Sequence, residues 1–300
     1  MLRLSSQLGK VALGVAIFVI FAIAISRDNW DNYLSVSANY LKTSLSGTRE
    51  VDPKTALLNC HVQPLQNYSQ FFGLSNQTMY PCKHLKMFGG VKHRDFFDGD
   101  KWACMDSPLA PPPTRCLVYS FGINNEWSFD DAMAAYGCQV FSFDPSMAAG
   151  DHQRSANVTF FRMGVGSKSG KFMNGKVDRL GGIMKKLGHV GRKIDYLKMD
   201  IEGMEVETLE EVLEHQPEIL ASVTHLGLEI HPGVAIGNNE IARQPTNIFN
   251  RLWRIFQQLE CLGFRLLRWA RNDFKLNHYT WNHSLQSKCY EIVWVKPPTH

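Results

Sequence analysis

Apolar positions along this 300-residue chain fall into two kinds of run. One kind is short and continuous, as in strands buried on both faces; the other recurs at helical spacing. Leu117, Val118, Tyr119 and Phe121 form a strand that runs into a tight turn at Gly122. Ser128 with Asp131 three residues on predicts a capping box; Phe129, Ala132, Met133 and Tyr136 continue the helix, and Gly137 stops it. Segments 139–143 and 158–163 read as the next two strands, and Leu180, Ile183, Met184 and Leu187 as a helix laid on the sheet. Ile194 to Met199 is a fourth strand, closed by the acidic corner Asp200, Glu202, Gly203 and Glu205 and followed by a helix carrying Val206, Leu209 and Leu213. Thr224 to Ile230 is a fifth, with a turn at Pro232-Gly233. Phe249, Leu252, Trp253, Phe256 and Leu259 make a strongly amphipathic helix that ends at Gly263. Segments 264–269 and 290–295 are the last two strands, and 270–288 reads as a loop between them. This alternation predicts an α/β fold, and an antiparallel final strand fits a mixed sheet.

Candidate chemistry gathers at the ends of these strands. A glycine turn after one strand, and a carboxylate closing the next about 20 residues on, is how an open α/β sheet holds a nucleoside. Gly122 lets backbone approach the ligand and Asp144 can accept hydrogen bonds from ribose hydroxyls. Asp200, Glu202, Glu229 and His231 all fall at strand ends, where such sheets bind ligands. His231 or Asp200 is a candidate general base, with Glu229 beside them; the plainer alternative for His231 is a turn histidine bonded to backbone. Glu202 and Glu205 can instead serve the N-terminus of the following helix. No Cys-x-x-Cys pair or Cys/His ligand spacing occurs, so no metal is expected; a divalent ion on Asp200 and Glu202 is the lesser alternative.

Upstream, Val11 to Ile25 is unbroken apolar sequence between Lys10 and Arg27. It reads as a signal anchor, or as a signal peptide cleaved after the small residues Ala22 and Ala24. The expected organisation is a cytoplasmic tail (1–10), the anchor or signal (11–26), a stem and extension (27–84) and a catalytic domain (85–300). Either reading puts the bulk of the chain in the secretory lumen, as a single-pass type II protein of the Golgi or endoplasmic reticulum or as a secreted one. Sequons at Asn67, Asn76, Asn157 and Asn282 agree with that compartment, and seven cysteines permit disulfides while leaving one over. Cys116 and Cys138 each lie six residues before a candidate site residue, so they are neighbours at the far end of the sheet, as a disulfide or as buried thiols. Segment 88–106 reads as an irregular lid or a hairpin turning at Asp98-Gly99, with a flap over the pocket as its functional reading. The net charge of +4 is scattered, which gives no case for a nucleic-acid partner.

The segments 118–146 and 196–209, VYSFGINNEWSFDDAMAAYGCQVFSFDPS and YLKMDIEGMEVETL, carry a family resemblance. The second resembles the Asp-Ile-Glu-Gly signature of FkbM-type class I S-adenosylmethionine-dependent methyltransferases; the first, with DGDKWACMD upstream, is similar to the animal methyltransferase-like protein 24 group. That resemblance, over roughly residues 85 to 295, implies a Rossmann-like class I methyltransferase fold: a mixed seven-stranded sheet with helices on both faces. It implies S-adenosyl-L-methionine as cofactor, with the methionine moiety on Ser120, Phe121, Gly122 and Asn124, the ribose on Asp144 with Pro145 beside it, and Asp200 near the methyl. The turn departs from the family in having only Gly122, with Asn124 and Asn125 in place of further glycines; asparagine tolerates positive φ, so the turn can still form. Together with the compartment, the resemblance implies O-methylation of a luminal acceptor such as a glycan, with the membrane met only through the N-terminal segment. The alternatives are a Golgi-type glycosyltransferase, with Asp200-Ile201-Glu202 as an acidic metal triplet, and a non-catalytic luminal protein on the same fold.

Overall fold

The computed structural model describes residues 51–77, 79–92, 97–172, 175–235 and 245–298. The apolar segment at 11–25 lies outside them, and among the described residues no helix is long and apolar enough to cross a membrane. Among the described residues two short helices come first, α1 (Pro53–Leu58), capped by the Asp52 carboxylate, and α2 (Tyr68–Phe72), capped by Asn67. A hairpin follows. Its outer strands β1 (Leu85–Phe88) and β4 (Lys101–Cys104) pair antiparallel, as do the inner β2 (Val91–Lys92) and β3 (Phe97–Asp98). Gly99 sits at the bend between β3 and β4 rather than at the tip.

The main sheet is then laid down by β5 (Leu117–Phe121), α3 (Ser128–Tyr136), β6 (Gln139–Phe143), β7 (His152–Gln153) and β8 (Val158–Phe161). Beside it, β9 (Met163–Val165), β10 (Gly170–Phe172) and β11 (Gly175–Asp178) form a small separate sheet. The chain continues through α4 (Leu180–Lys186), β12 (Ile194–Met199), α5 (Glu205–His215), α6 (Pro217–Ala221), β13 (Val223–Ile230), α7 (Asn247–Cys261) and β14 (Arg265–Arg271). A hairpin of β15 (His278–Trp281) and β16 (Ser284–Ser287) precedes the last strand, β17 (Tyr290–Val295).

The sheet order is β14-β17-β13-β12-β5-β6-β8-β7. From β13 to β8 all neighbours are parallel, and β17, β14 and β7 join antiparallel. There are thus eight strands where seven are expected; the addition is β7, two exposed residues without an apolar signature. Segment 270–288 is likewise not a plain loop. Asn282 and His283 both take positive φ, as a two-residue hairpin turn needs, and so fold β15 onto β16. The capping box at Ser128 does not form: its hydroxyl accepts from Gly90 N at 2.6 Å, while Asp131 pairs with Arg154 at 2.7 Å.

All five residues of β5 are buried, because helices and hairpins cover both faces of the sheet. Leu117, Tyr119 and Phe121 enter the larger core with side chains of α4, α5 and α7, while Val118 joins Phe129 and Met133 of α3 and Phe88 of the hairpin. Residues 51–84, set apart in the sequence as an extension, contribute to the same interior. Phe71 packs on Trp269 with ring centroids 5.5 Å apart, and Tyr68 on Phe249 at 4.9 Å. Disulfides Cys60–Cys261 and Cys82–Cys104 bind this flank to α7 and β4, and Cys116–Cys138 joins the starts of β5 and β6. Of the two readings of Cys116 and Cys138 as neighbours, a disulfide or buried thiols, the disulfide is the one found, and Cys289 is left free and buried.

Candidate functional site

Strand register places the candidate residues in one row. Phe121 pairs with Phe143 on one side and Met199 on the other, and Met199 pairs with Leu228. One residue further on, the carboxyl edge presents Asp144, Gly122, Asp200 and Glu229 side by side, and Glu229 faces Glu291 of β17. Phe121, Phe143, Met199 and Leu228 point into the larger core, so strand alternation turns the acids of the next row to the other face, the side of α3 and the hairpin.

Gly122 is where β5 meets β12. Its φ is +81°, and a Cβ there would lie 1.6 Å from the Asp200 carbonyl oxygen, so only glycine allows the two backbones this close. Its N–H donates to Phe143 O at 2.9 Å and its carbonyl accepts from Lys198 Nζ at 2.7 Å. Asn124 and Asn125 follow with φ of +44° and +62°, the left-handed conformations that the asparagines were expected to tolerate.

Asp144 closes over this turn. Its Oδ2 accepts from Ile123 N at 3.0 Å and Asn124 N at 2.8 Å, and its Oδ1 from Ser146 N at 2.8 Å and Ser146 Oγ at 2.5 Å. Gly122 and Asp144 therefore share one rim, joined by the turn itself. Of the four donors on Asp144 only the Ser146 hydroxyl is a side chain, and it is the one that a ribose hydroxyl can replace. Ser120 and Phe121 do not reach the edge. Both are fully buried beneath it, Ser120 donating to Asp130 at 3.2 Å and Phe121 stacked on Phe143 at 4.5 Å. Pro145 packs against Gly164 and Gly175, where an added Cβ would lie 2.9 and 2.7 Å from it.

On the other side of Gly122 the row becomes a charged cluster. Asp200 Oδ2 lies 3.6 Å from Lys198 Nζ and 3.8 Å from Lys101 Nζ, and Lys101 pairs with Glu291 at 2.8 Å. Burial works against the charge of Lys101, which is 1 % exposed, but Glu291, Asp200 and Glu229 outweigh it and raise its pKa above the usual lysine value. Burial also opposes ionisation of Asp200; Lys198, Lys101 and a hydrogen bond with Glu229 prevail and keep it ionised. Glu229 goes the other way, pushed up by burial and then by Asp200 and Glu291, so it holds the proton of the pair. Burial pushes the Glu291 carboxyl up to about 7.

His231 follows β13, with Nδ1 3.5 Å from Glu205 and Nε2 3.7 Å from Glu202 and 4.0 Å from Glu229. Burial disfavours its charge, but Cys289 and Glu205 outweigh burial and raise it to about 11. In this state the imidazole is a cation and Asp200 an ionised carboxylate. Glu205 also caps the corner at the end of β12, its Oε1 accepting from Ile201 N at 2.8 Å. That role leaves Glu202, at a φ of +56°, exposed.

Several members of the cluster escaped sequence reasoning. Lys101 arrives from the hairpin, which reaches over β13 and β12: Cys104 N donates to His225 Nε2 at 3.0 Å and Tyr196 Oη to Trp102 O at 3.0 Å. Glu291 and Cys289 come from the last strand and its approach, far away in the chain. Lys198 was the one legible signal among them, a lysine that shares a fully buried strand with one other charged residue, Asp195.

A turn at a single glycine and an acid on the neighbouring parallel strand, next to a charged rim, lie at the carboxyl edge where open α/β sheets bind ligands. The chain belongs to a methyltransferase family: a family profile described as methyltransferase domain matches residues 21–296. It is similar to the probable methyltransferase-like protein 24 of Homo sapiens, 26% identical over 192 residues, which cover 60% of this chain and 50% of that protein. The same figures hold for the Rattus norvegicus protein of that name. The chain thus spans about half the length of the curated relatives it matches.

Proposed function

We propose that this protein is an S-adenosylmethionine-dependent methyltransferase of the secretory pathway that acts on a hydroxyl of a luminal acceptor, a glycan first among them. The observation that carries the reading is the close approach of the β5 and β12 backbones at Gly122, with Asp144 on the same rim; a side chain at 122 would collide with the Asp200 backbone and push that rim apart. The bound cofactor supplies an electrophilic methyl group on a sulfonium. Gly122 and Asn124 would line its methionine end with turn backbone, and Asp144 would hold the ribose hydroxyls in place of the Ser146 hydroxyl. Asp200, between the ribose side and the charged rim, orients the acceptor hydroxyl and takes its proton, with Lys198 and Lys101 holding the carboxylate in place. Glu229 and His231 complete the acceptor side of the rim.

Three disulfides support a compartment that keeps cysteines oxidised, and exposed sequon asparagines at 76, 157 and 282 are open to the glycosylation such a compartment performs. The apolar segment at 11–25 is the expected membrane or export signal.

The test is binding. S-adenosylhomocysteine is expected to raise the melting temperature of the protein, and Asp144→Ala to lower its affinity at least tenfold. A sugar nucleotide with manganese should leave the melting temperature unchanged. Stabilisation by the sugar nucleotide alone would move the reading to a glycosyltransferase. Binding of S-adenosylhomocysteine without methyl transfer to any luminal glycan or peptide pool would move it to a non-catalytic protein.

A further inference from the structure

Cys289 is left out of the three disulfides and is buried where β17 begins, beside the turn that carries His231. One donor atom each from Glu229, His231 and Cys289 lies within 4.8 Å of the others. We propose that these three side chains form a site for a zinc-class divalent ion, His231 ligating through Nε2 while Glu205 holds Nδ1.

The spacings are those of donors around an ion. Around His231 Nε2, Glu202 Oε2 lies at 3.7 Å and Glu229 Oε1 at 4.0 Å, both too far for a hydrogen bond. Donors about 2.0–2.3 Å from one tetrahedral ion lie roughly 3.3–3.8 Å from each other. A contraction of about 1 Å or less therefore closes a three-ligand site. Glu202, 85 % exposed, is free to fill or vacate the fourth position.

An independent observation points the same way. The Glu205 side chain is 1 % exposed, its Oε2 has no hydrogen-bond partner, and neither has His231 Nδ1, 3.5 Å from Glu205 Oε1. Glu205 Oε1 is already engaged by Ile201 N, so Oε2 and the imidazole nitrogen beside the carboxylate are the buried polar atoms left unpaired, which is costly. The arrangement has a purpose where the other ring nitrogen binds a metal: the carboxylate then fixes the tautomer and strengthens the ligand. Glu229 is oriented in the same manner by Asn272 Nδ2, which donates to its Oε1 at 3.0 Å, and Asn272 N donates to Cys289 O at 3.1 Å. Each ligand thus has a partner that positions it.

The donor set selects the ion. Thiolate and imidazole suit zinc, whereas magnesium and calcium prefer all-oxygen sites. Cys289, the His231 imidazolium at Nε2 and the Glu229 carboxyl each give up a proton to solvent as the ion enters, so uptake is coupled to proton release. Sequence spacing concealed the set: His231 and Cys289 are far apart in the chain and meet only because β17 pairs with β13.

The site does not rest on the methyl-transfer reading, and its test needs no turnover. The full chain, expressed in animal cells and purified without chelators, is expected to carry about one zinc by plasma mass spectrometry. Cys289→Ser and Glu229→Gln should each lower that at least tenfold. Replacing the zinc with cobalt should give a thiolate-to-cobalt charge-transfer band that Cys289→Ser abolishes, and excess magnesium should displace neither ion. If Cys289→Ser does not fold, Glu205→Gln is the substitute, with zinc affinity expected to fall about 10–100-fold. Zinc content that is equally low in the wild type and the variants, or a cobalt spectrum without the thiolate band, overturns the proposal.

Discussion

Replacing Gly122 by alanine tests the junction on which the rim is built. The new Cβ would lie 1.6 Å from the Asp200 carbonyl oxygen and 2.7 Å from its carbon, against an ordinary contact of roughly 3.5 Å. No rotamer relieves this overlap, because both partners are backbone. The ends of β5 and β12 must separate, which strains the bond from Asp200 N to Phe121 O at 3.1 Å and the grip of Lys198 on the Gly122 carbonyl. Overpacking of this kind costs roughly 1–3 kcal/mol, and holding alanine at a φ of +81° adds about 1–2 kcal/mol. The expected loss is about 2–5 kcal/mol of unfolding free energy. Urea denaturation at unchanged slope measures it, and calorimetry with S-adenosylhomocysteine should show affinity falling as well. Gly150→Ala is the control: a Cβ there meets nothing within 4 Å, and its effect should stay within about 0.5 kcal/mol. A Gly122→Ala protein as stable as that control, with cofactor affinity intact, would refute the close approach and the reading built on it.

Two further perturbations address the polar groups under the rim. Lys101→Met leaves Glu291 buried without its ammonium partner and should cost about 3–5 kcal/mol by denaturation, with Glu291→Gln in the same chain recovering part of it; a cost below about 1 kcal/mol would mean that the pair is solvated. Burial raises the Asp130 carboxyl from 3.8 to about 6, against Lys198 and the hydroxyls of Ser142 and Ser120. Because the folded value is the higher one, the unfolded chain loses its proton first, and folding is penalised progressively as pH rises from about 4 to about 6, by roughly 3 kcal/mol in total. Asp130→Asn should therefore gain stability relative to the wild type between about pH 4 and about pH 7.5, and a difference that does not change with pH contradicts the assignment.

The sheet was legible because its central strands are buried on both sides and read as continuous apolar runs; β6, β12 and β17 lie where the pattern puts them. Gly122 and Asp144 were legible because the chemistry of a turn and of a strand end is local. β7 was not, since two exposed residues held by backbone pairing leave no hydrophobic trace, and the β15–β16 hairpin was hidden by an Asn-His turn in place of a glycine-containing one. Ser128 looked like a helix cap, but the hairpin competes for its hydroxyl through Gly90 N. The charged cluster was legible only in part. Asp200 and Glu229 end their own strands, whereas Lys101, Glu291 and Cys289 enter from remote segments whose placement depends on pairing that the sequence pattern does not encode.

The bond between Cys60 and Cys261 settles where a recombinant fragment can begin. A chain started at Leu85, the domain boundary expected from the sequence, would lose Cys60 and Cys82 and leave Cys261 and Cys104 as orphan thiols. It would also strip Tyr68, Phe71 and Phe72 from the aromatic wall formed by Phe249, Phe256 and Trp269, turning an interior surface into a sticky one. Soluble material for any assay has to start upstream of Asp52.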